Sequence, residues 1–342
     1  MQLLNTLYLT TPESSLHKEG ETVVVKVERE KRLQVPLHHL QGIVVMAQAW
    51  VSPDLQRACL ERDLSLVFLS ERGRFLGRLE GQGARGALLR RDQMTAHLDP
   101  DRTLALARIF VKGKLANQRH VLQRAAREAA ASESEPVARA AERLRLLQQQ
   151  ADSMQTLDEL RGCEGDGASW YFECFDTLVR QQRSTFPWKG RTRRPPLDPL
   201  NALLSFSYAL LMGDCLSACQ AVGLDPAIGF LHAFRPGRPA LALDLMETFR
   251  PLVADRLVLT LINNQQIGPS GFRTTESGGV EMDNDTRKLV IVSYQQRKAQ
   301  TVKHPFLDQE IPWGLAPLLE ARLLARHLRG GLEAFPPFHP KG

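Results

Sequence analysis

"RTLALARIFVKGKLANQRHVLQRAARE", residues Arg102 to Glu128, is the stretch on which the fold turns. Leu and Ala recur at helical spacing along its whole length, with no Pro and a single Gly, a pattern far too long for a strand. Upstream the texture is different. "TVVVKVE" alternates Val23, Val25 and Val27 onto one face, and "GIVVMAQAWV", "LSLVFLS" and "GRFLGRLE" follow at short intervals with Pro, Asp, Ser and Gly between them. Even spacing without a helical pattern between the runs predicts an antiparallel β unit. Downstream, "SESEPVARAAERLRLLQQQADSMQTLDELRGCEGDG" opens with capping residues and predicts a long helix that ends at Gly162. Further helical patterns cover roughly 168–183, 199–221, 241–264 and 315–329, interrupted by "FPWKGRTRRPPLDP", which Pro and Gly exclude from a helix. The expected fold is therefore α+β (multidomain): a small amino-terminal antiparallel β domain (1–86), a linker (87–95), a mainly α-helical domain (96–334) and an extended Pro-rich tail (335–342) without its own core.

The 342 residues carry 44 Lys and Arg against 38 Asp and Glu, a net charge of +6 that favours a polyanionic partner. No apolar run reaches the length of a membrane span, and "MQLLNTLYLT" has neither the basic start nor the cleavage site of a leader, so a cytoplasmic location is expected. Cys59, Cys163, Cys174, Cys215 and Cys219 are odd in number and form no CxxC pair, which argues for reduced core residues. Gly81, Gly83 and Gly86 in "GQGARG" match a dinucleotide fingerprint in the wrong context, after a β-meander pattern. There is no P-loop and no G-x-S-x-G. Adjacent His38 and His39 point to opposite faces of a strand and read as structural, and Asp283 and Asp285 in "VEMDNDTRK" read as a turn into a helix.

Chemistry concentrates in "GFLHAFRPGRPALALDLMETFRP", Gly229 to Pro251. Asp244 and Glu247 are three apart in an otherwise apolar helical run, so their carboxylates leave one face together and repel unless a cation or a basic group stands between them. His232 precedes that run, and the Pro236-Gly237 turn can fold its imidazole back toward the acids. Histidine with carboxylates suits Mg²⁺ or Mn²⁺. The competing reading is ordinary ion pairing of the acids with Arg238 and Arg250. A third acid, Glu164, stands between Gly162 and Gly165 at what the pattern reads as a helix junction.

Two basic features accompany the acids. Arg108, Lys112 and Arg119 lie four and seven apart and share a helix face. Arg180, Arg183, Lys189, Arg191, Arg193 and Arg194 run without an acid and enclose Phe186 and Trp188, an interleaving suited to single-stranded or frayed nucleic acid.

With "RGCEGDGASWYF", "DPLNALLSFSYALL", "GLDPAIGFLH" and "GRPALALDLMETFRP" in this order, behind a β unit containing "VPLHHLQGIVV" and "LVFLSERGRFLGR", the chain resembles the CRISPR-associated integrase of the adaptation machinery over nearly its whole length. The resemblance implies a metal-dependent DNA endonuclease or integrase that inserts protospacer DNA into a CRISPR array. It implies Glu164, His232 and Glu247 as metal ligands and catalytic residues, with Asp244 as an additional metal-facing or supporting carboxylate; Glu247 stands where some members have Asp. It also implies one Mg²⁺ or Mn²⁺, double-stranded DNA with single-stranded ends and CRISPR repeat DNA as substrates, and nucleic-acid contacts from the basic residues above and Arg238. The implied assembly is a homodimer, its β domain serving dimerisation and docking, joined to a small ferredoxin-fold partner in a heterohexamer. Two other classes fit the same residues: a stand-alone metal-dependent nuclease on branched DNA, and a non-catalytic DNA-binding scaffold.

Overall fold

Val23 and Val25 enter the core from β4 (Thr22–Val27), which pairs antiparallel with β3 (Ser14–Glu19) and β5 (Glu30–Pro36). The computed structural model describes residues 2–3, 6–9, 11–40, 42–45, 47–62, 64–69, 75–79, 85–128 and 131–339. The chain divides into two compact units, residues 1–91 with 217–224, and residues 92–216 with 225–342. Gly81 and Gly83 of the fingerprint-like glycines lie outside the described residues.

The first unit holds two sheets. One has the order β5-β4-β3-β7, with β7 at Ala49–Val51. The other has the order β1-β2-β6-β8-β9, formed by Gln2–Leu3, Thr6–Leu9, Gly42–Val45, Ser65–Leu69 and Phe75–Leu79. The pairing departs from the expected antiparallel pattern: β2 with β6, β6 with β8, and β3 with β7 run parallel. The reason is topological. The chain leaves β2, builds the β3–β5 meander and returns beside β2 in the same direction. It reaches β8 through a helix, α1 (Pro53–Glu61). Parallel neighbours require such crossovers. Ser52 caps α1 by accepting the Leu55 N–H, and Leu55, Ala58 and Cys59 supply its buried face, a short helical period hidden between two strand signals.

In the second unit the opening stretch forms α3 (Pro100–Glu128), preceded by α2 (Arg85–Leu98), which covers the segment expected to be a linker. Against α3 pack α4 (Ala131–Gln150) and α5 (Leu157–Glu173). Here the boundaries differ from expectation. Thr156 and Glu159 form a capping box that starts a new helix, so Glu164 lies inside α5 and not at a junction. A side chain at Gly167 would run into Leu115 and Leu144, so that glycine permits the close approach of α5 to α3 and α4.

The short α6 (Phe175–Leu178) leads toward α7 (Pro199–Val222). By length and composition α7 is apolar enough to cross a membrane, contrary to the expectation that no run is, yet half of that window is buried inside the protein. Of its polar side chains, Asp214 accepts from Lys298 and Tyr294. Next come α8 (Ala240–Phe249), a π-helical segment (Arg250–Asp255) and α9 (Arg256–Asn263). Pro251, which lacks an N–H, sits in the π segment. The hairpin β10–β11 (Phe272–Thr274, Val280–Met282), α10 (Asn284–Ala299), the hairpin β12–β13 (Thr301–Lys303, Glu310–Pro312) and α11 (Ala316–Leu328) complete the unit. Asp283 caps α10, as its turn pattern suggested. Of the tail, residues 335–339 form no helix or strand and are pinned by the buried Phe335 and Phe338. All five cysteines are buried, and none forms a disulfide.

Candidate active site

Asp244 and Glu247 lie in an apolar helix because each organises a different partner. Both are buried in α8. Asp244 accepts the backbone N–H groups of Phe230 and Leu231 on Oδ2, and that of His232 on Oδ1 at 2.9 Å. Its Oδ1 also takes the His232 Nδ1–H at 2.7 Å. The loop therefore folds back onto α8 as the Pro236-Gly237 turn suggested, and Gly237 has φ +72°. The approach is close. A Cβ at Gly229 would lie 2.7 Å from both the Ala240 carbonyl carbon and Asp244 Oδ2, so that position requires glycine.

Three further residues, none singled out by sequence, steady this loop. Gln93 of α2 donates to the carbonyls of Asp225 and Ile228 and accepts the Asp225 N–H. His97 Nδ1 bonds the Gly229 carbonyl at 2.7 Å. Arg161, one turn before Glu164, donates to the Leu231 carbonyl at 3.0 Å.

With Nδ1 anchored, His232 presents Nε2 to Glu247 Oε1 at 3.6 Å. A carboxylate that fixes one imidazole nitrogen and leaves the other free is the arrangement by which proteins orient a metal-binding histidine. Arg250 reaches the same Glu247 oxygen at 3.2 Å, so the ion pair weighed against a metal is present, although Arg250 covers only one oxygen. On the other oxygen, Oε2, stands the ammonium of Lys114, at 2.6 Å, held by charge without an aligned hydrogen bond. The same ammonium contacts Glu164 Oε1. Glu164 of α5 and Glu247 of α8 thus share one ammonium, and His232 of the loop faces Glu247 on its other oxygen, while Asp244 has both oxygens occupied by N–H donors. Among the described residues no trio of carboxylate, imidazole or thiolate groups is closed at metal-ligand spacing. Burial pushes the Glu247 carboxyl up, but Arg250, Lys114 and His232 outweigh it and hold it down to about 2.

Lys114 is the principal residue that sequence reasoning missed. Its signal was periodicity: it lies three residues after Val111 and four after Phe110, on the buried stripe of α3, whereas Lys112 lies off that stripe.

Behind Glu247, Arg250 stacks on Tyr208 at 5.1 Å, and Arg191 lies over the same ring at 5.4 Å. Tyr208 and Tyr171 both donate to the buried Asp255, at 2.6 and 3.0 Å.

The basic residues divide into two sets. Arg108 donates to the carbonyls of Ala151 and Met154, and Lys112 pairs with Asp152 at 2.7 Å, so this part of the stripe is engaged within the protein. Arg119 is half-buried, beside Gln123 and Arg127 in a cavity of about 440 Å³ between α3 and α4. Arg180 and Arg183 pair with Glu128 and Glu133, and Arg191 donates to Asn201 and Ser205. Trp188 stacks on Phe172 and donates to its carbonyl, and Phe186 is buried against Phe272, so the interleaved aromatics belong to the core. Lys189, Arg193 and Arg194 are exposed and Arg238 is half-buried.

The family described as CRISPR associated protein Cas1 matches residues 7–296. The chain belongs to the Cas1 family. Among Cas1 relatives, the CRISPR-associated endonuclease Cas1 2 of Rhodospirillum rubrum is 46% identical over 342 residues, 98% of each chain. The CRISPR-associated endonuclease Cas1 1 of Moorella thermoacetica is 45% identical over 339 residues, again 98% of each chain. A Cas1 structure from Thermotoga maritima superposes with a TM-score of 0.76 at 26% identity, covering 96% of this chain and 98% of that one. A casposase bound to integration product shares the fold, with a TM-score of 0.80 at 20% identity over 99% of both chains. The α+β architecture, a strand-rich unit before a helical one, is thus the Cas1 architecture.

Proposed function

We propose that this Cas1-family protein is a divalent-metal-dependent DNA integrase that joins protospacer DNA to a CRISPR array. The placing of Glu164 and Glu247 about one ammonium, with His232 beside Glu247, supports this reading: two carboxylates and an oriented imidazole nitrogen suit Mg²⁺ or Mn²⁺. When bound, the ion supplies positive charge against the phosphoryl oxygens as negative charge develops there. In the reaction, a protospacer 3′-hydroxyl oxygen bonds to phosphorus at the repeat boundary, and the bond to the displaced repeat-strand 3′ oxygen breaks. Asp244 keeps the His232 imidazole in one tautomer and orientation. Arg250 keeps Glu247 ionised and extended. The exposed Lys189, Arg193 and Arg194, with Arg238, hold DNA phosphates. A casposase solved with integration product and a Cas6-RT-Cas1–Cas2 complex, the latter sharing the fold at a TM-score of 0.77, favour integration with a Cas2-type partner. We place the strand-rich unit in homodimer contacts and in docking that small ferredoxin-fold partner in a heterohexamer, and the protein in the cytoplasm.

The decisive experiment is strand transfer of a short duplex with single-stranded 3′ ends into a supercoiled repeat-bearing plasmid with Mg²⁺ or Mn²⁺. Wild type is compared with His232→Ala and Glu247→Ala, with and without the small partner. Joining that depends on metal and partner and disappears in both variants is expected. Cleavage of branched DNA without the partner and without joining would identify the stand-alone nuclease. DNA binding without either reaction would leave a scaffold.

A further inference from the structure

We propose that Lys114 is the resident cation of this site, competing with the divalent ion for Glu164 and Glu247 and setting how tightly the ion binds. The inference rests on the metal-site reading above and extends it to a residue outside the ligand set.

The side chain of Lys114 is 5% exposed, and its ammonium touches Glu164 Oε1 and Glu247 Oε2. A buried ammonium is costly unless carboxylates surround it, and two carboxylates brought together are costly unless a cation separates them. Each therefore holds the other, keeping Glu164 on α5 and Glu247 on α8 facing a common point before any ion arrives. The second cation is differently placed. Arg250 approaches Glu247 Oε1, and its guanidinium is stacked on Tyr208. Arg250 is fixed by its ring contact, whereas the four-carbon stem of lysine lets an ammonium swing away.

Charge counting gives the consequence. Glu164 and Glu247 contribute two negative charges, which Lys114 and Arg250 already balance. A divalent ion that shares the two carboxylates is repelled by the ammonium between them, so it must displace Lys114. The released ammonium is then free to meet an incoming DNA phosphate, and bound DNA makes the displacement easier. Metal and DNA should consequently bind cooperatively, each strengthening the other by the same factor.

The test is calorimetric titration of Mn²⁺ into wild type, Lys114→Met and Lys114→Gln, with His232→Ala as the control for the site itself. Loss of Mn²⁺ binding in His232→Ala supports the metal-site reading; its retention there defeats that reading separately. For Lys114, at least about tenfold tighter Mn²⁺ binding in either folded variant is expected, since an adjacent positive charge is removed. Unchanged or weaker binding overturns the proposal. A measurement on wild type alone keeps the test independent of variant folding: acetylation of Lys114 by acetic anhydride, read by peptide mass spectrometry, should rise when Mn²⁺ is added. Reactivity that stays constant also overturns it.

Discussion

Asp244 Oδ1 accepts both the Nδ1–H of His232 at 2.7 Å and its backbone N–H at 2.9 Å, so one buried oxygen fixes the position and the orientation of the imidazole. In Asp244→Asn one carboxylate oxygen becomes an NH₂ group facing N–H donors that it cannot accept. Loss of an orienting carboxylate typically costs a metal site about 10–100-fold in affinity, and that is the expected fall in Mn²⁺ binding by calorimetry. An unchanged affinity would mean that the surrounding loop contacts from Gln93, His97 and Arg161 orient His232 sufficiently.

Tyr171 and Tyr208 donate to Asp255 in the wall behind Glu247, where burial raises the carboxyl to about 6 against the opposing hydrogen bonds and the nearby Arg250 and Arg191. The unfolded carboxyl titrates near 3.9. As pH rises from about 4 to 6, the unfolded chain releases this proton while the folded chain retains it, so this group's contribution to stability declines and then levels off above 6. The span of about two pH units corresponds to roughly 3 kcal/mol. Asp255→Asn removes the titration, so urea denaturation should show wild type losing about that much stability relative to the variant between pH 4 and 7. A constant difference would show that the two hydroxyls keep the carboxylate ionised throughout.

How much of this site could be read in advance depended on contrast. Asp244 and Glu247 stand out because polar residues interrupt an apolar run, and His232 because a Gly/Pro turn precedes the helix. Lys114 lacks such contrast: in "VKGKLANQ" it stands two residues from Lys112, and only its register on α3 separates a buried ammonium from a half-exposed one. Gln93 and His97 were obscured because α2 has little amphipathic pattern. The α+β division was legible from texture, but the parallel strand pairs were not, since alternation fixes which face is buried and says nothing of which strand lies beside which. Gly162 misled for a related reason. A glycine reads as a helix stop, whereas Gly162, Gly165 and Gly167 all lie inside α5.

The basic residues should separate by experiment as they do in space. Arg108 satisfies carbonyls at and beyond the end of α4, so Arg108→Ala should cost about 1–3 kcal/mol in stability by leaving them unmet, with the salt dependence of DNA binding unchanged. Replacing exposed Lys189, Arg193 and Arg194 together with Ala should do the opposite. Melting temperature should hold, while the slope of log affinity against log salt falls by up to about 0.9 for each phosphate no longer neutralised. An unchanged slope would place the DNA track elsewhere on the protein.

The tail is the last structural element whose role the sequence concealed, because "AFPPFHPKG" has no periodicity. Phe338 is fully buried among Phe249, Trp313 and His304, with ring centroids 5.2, 5.5 and 5.3 Å away. Its carbonyl accepts from Asn117, which also donates to Thr248. Asn117 lies three residues beyond Lys114 on α3, and Thr248 follows Glu247 on α8, so the tail ties together the two helices whose charges meet at the site. Phe338→Ala should cost about 3–5 kcal/mol, lowering the calorimetric melting temperature by roughly 5–15 °C. Phe338→Leu should recover much of that loss because it refills the cavity. If the alanine variant melts within about 2 °C of wild type, a threshold below the shift expected for such a cavity, the tail does not fasten α3 to α8.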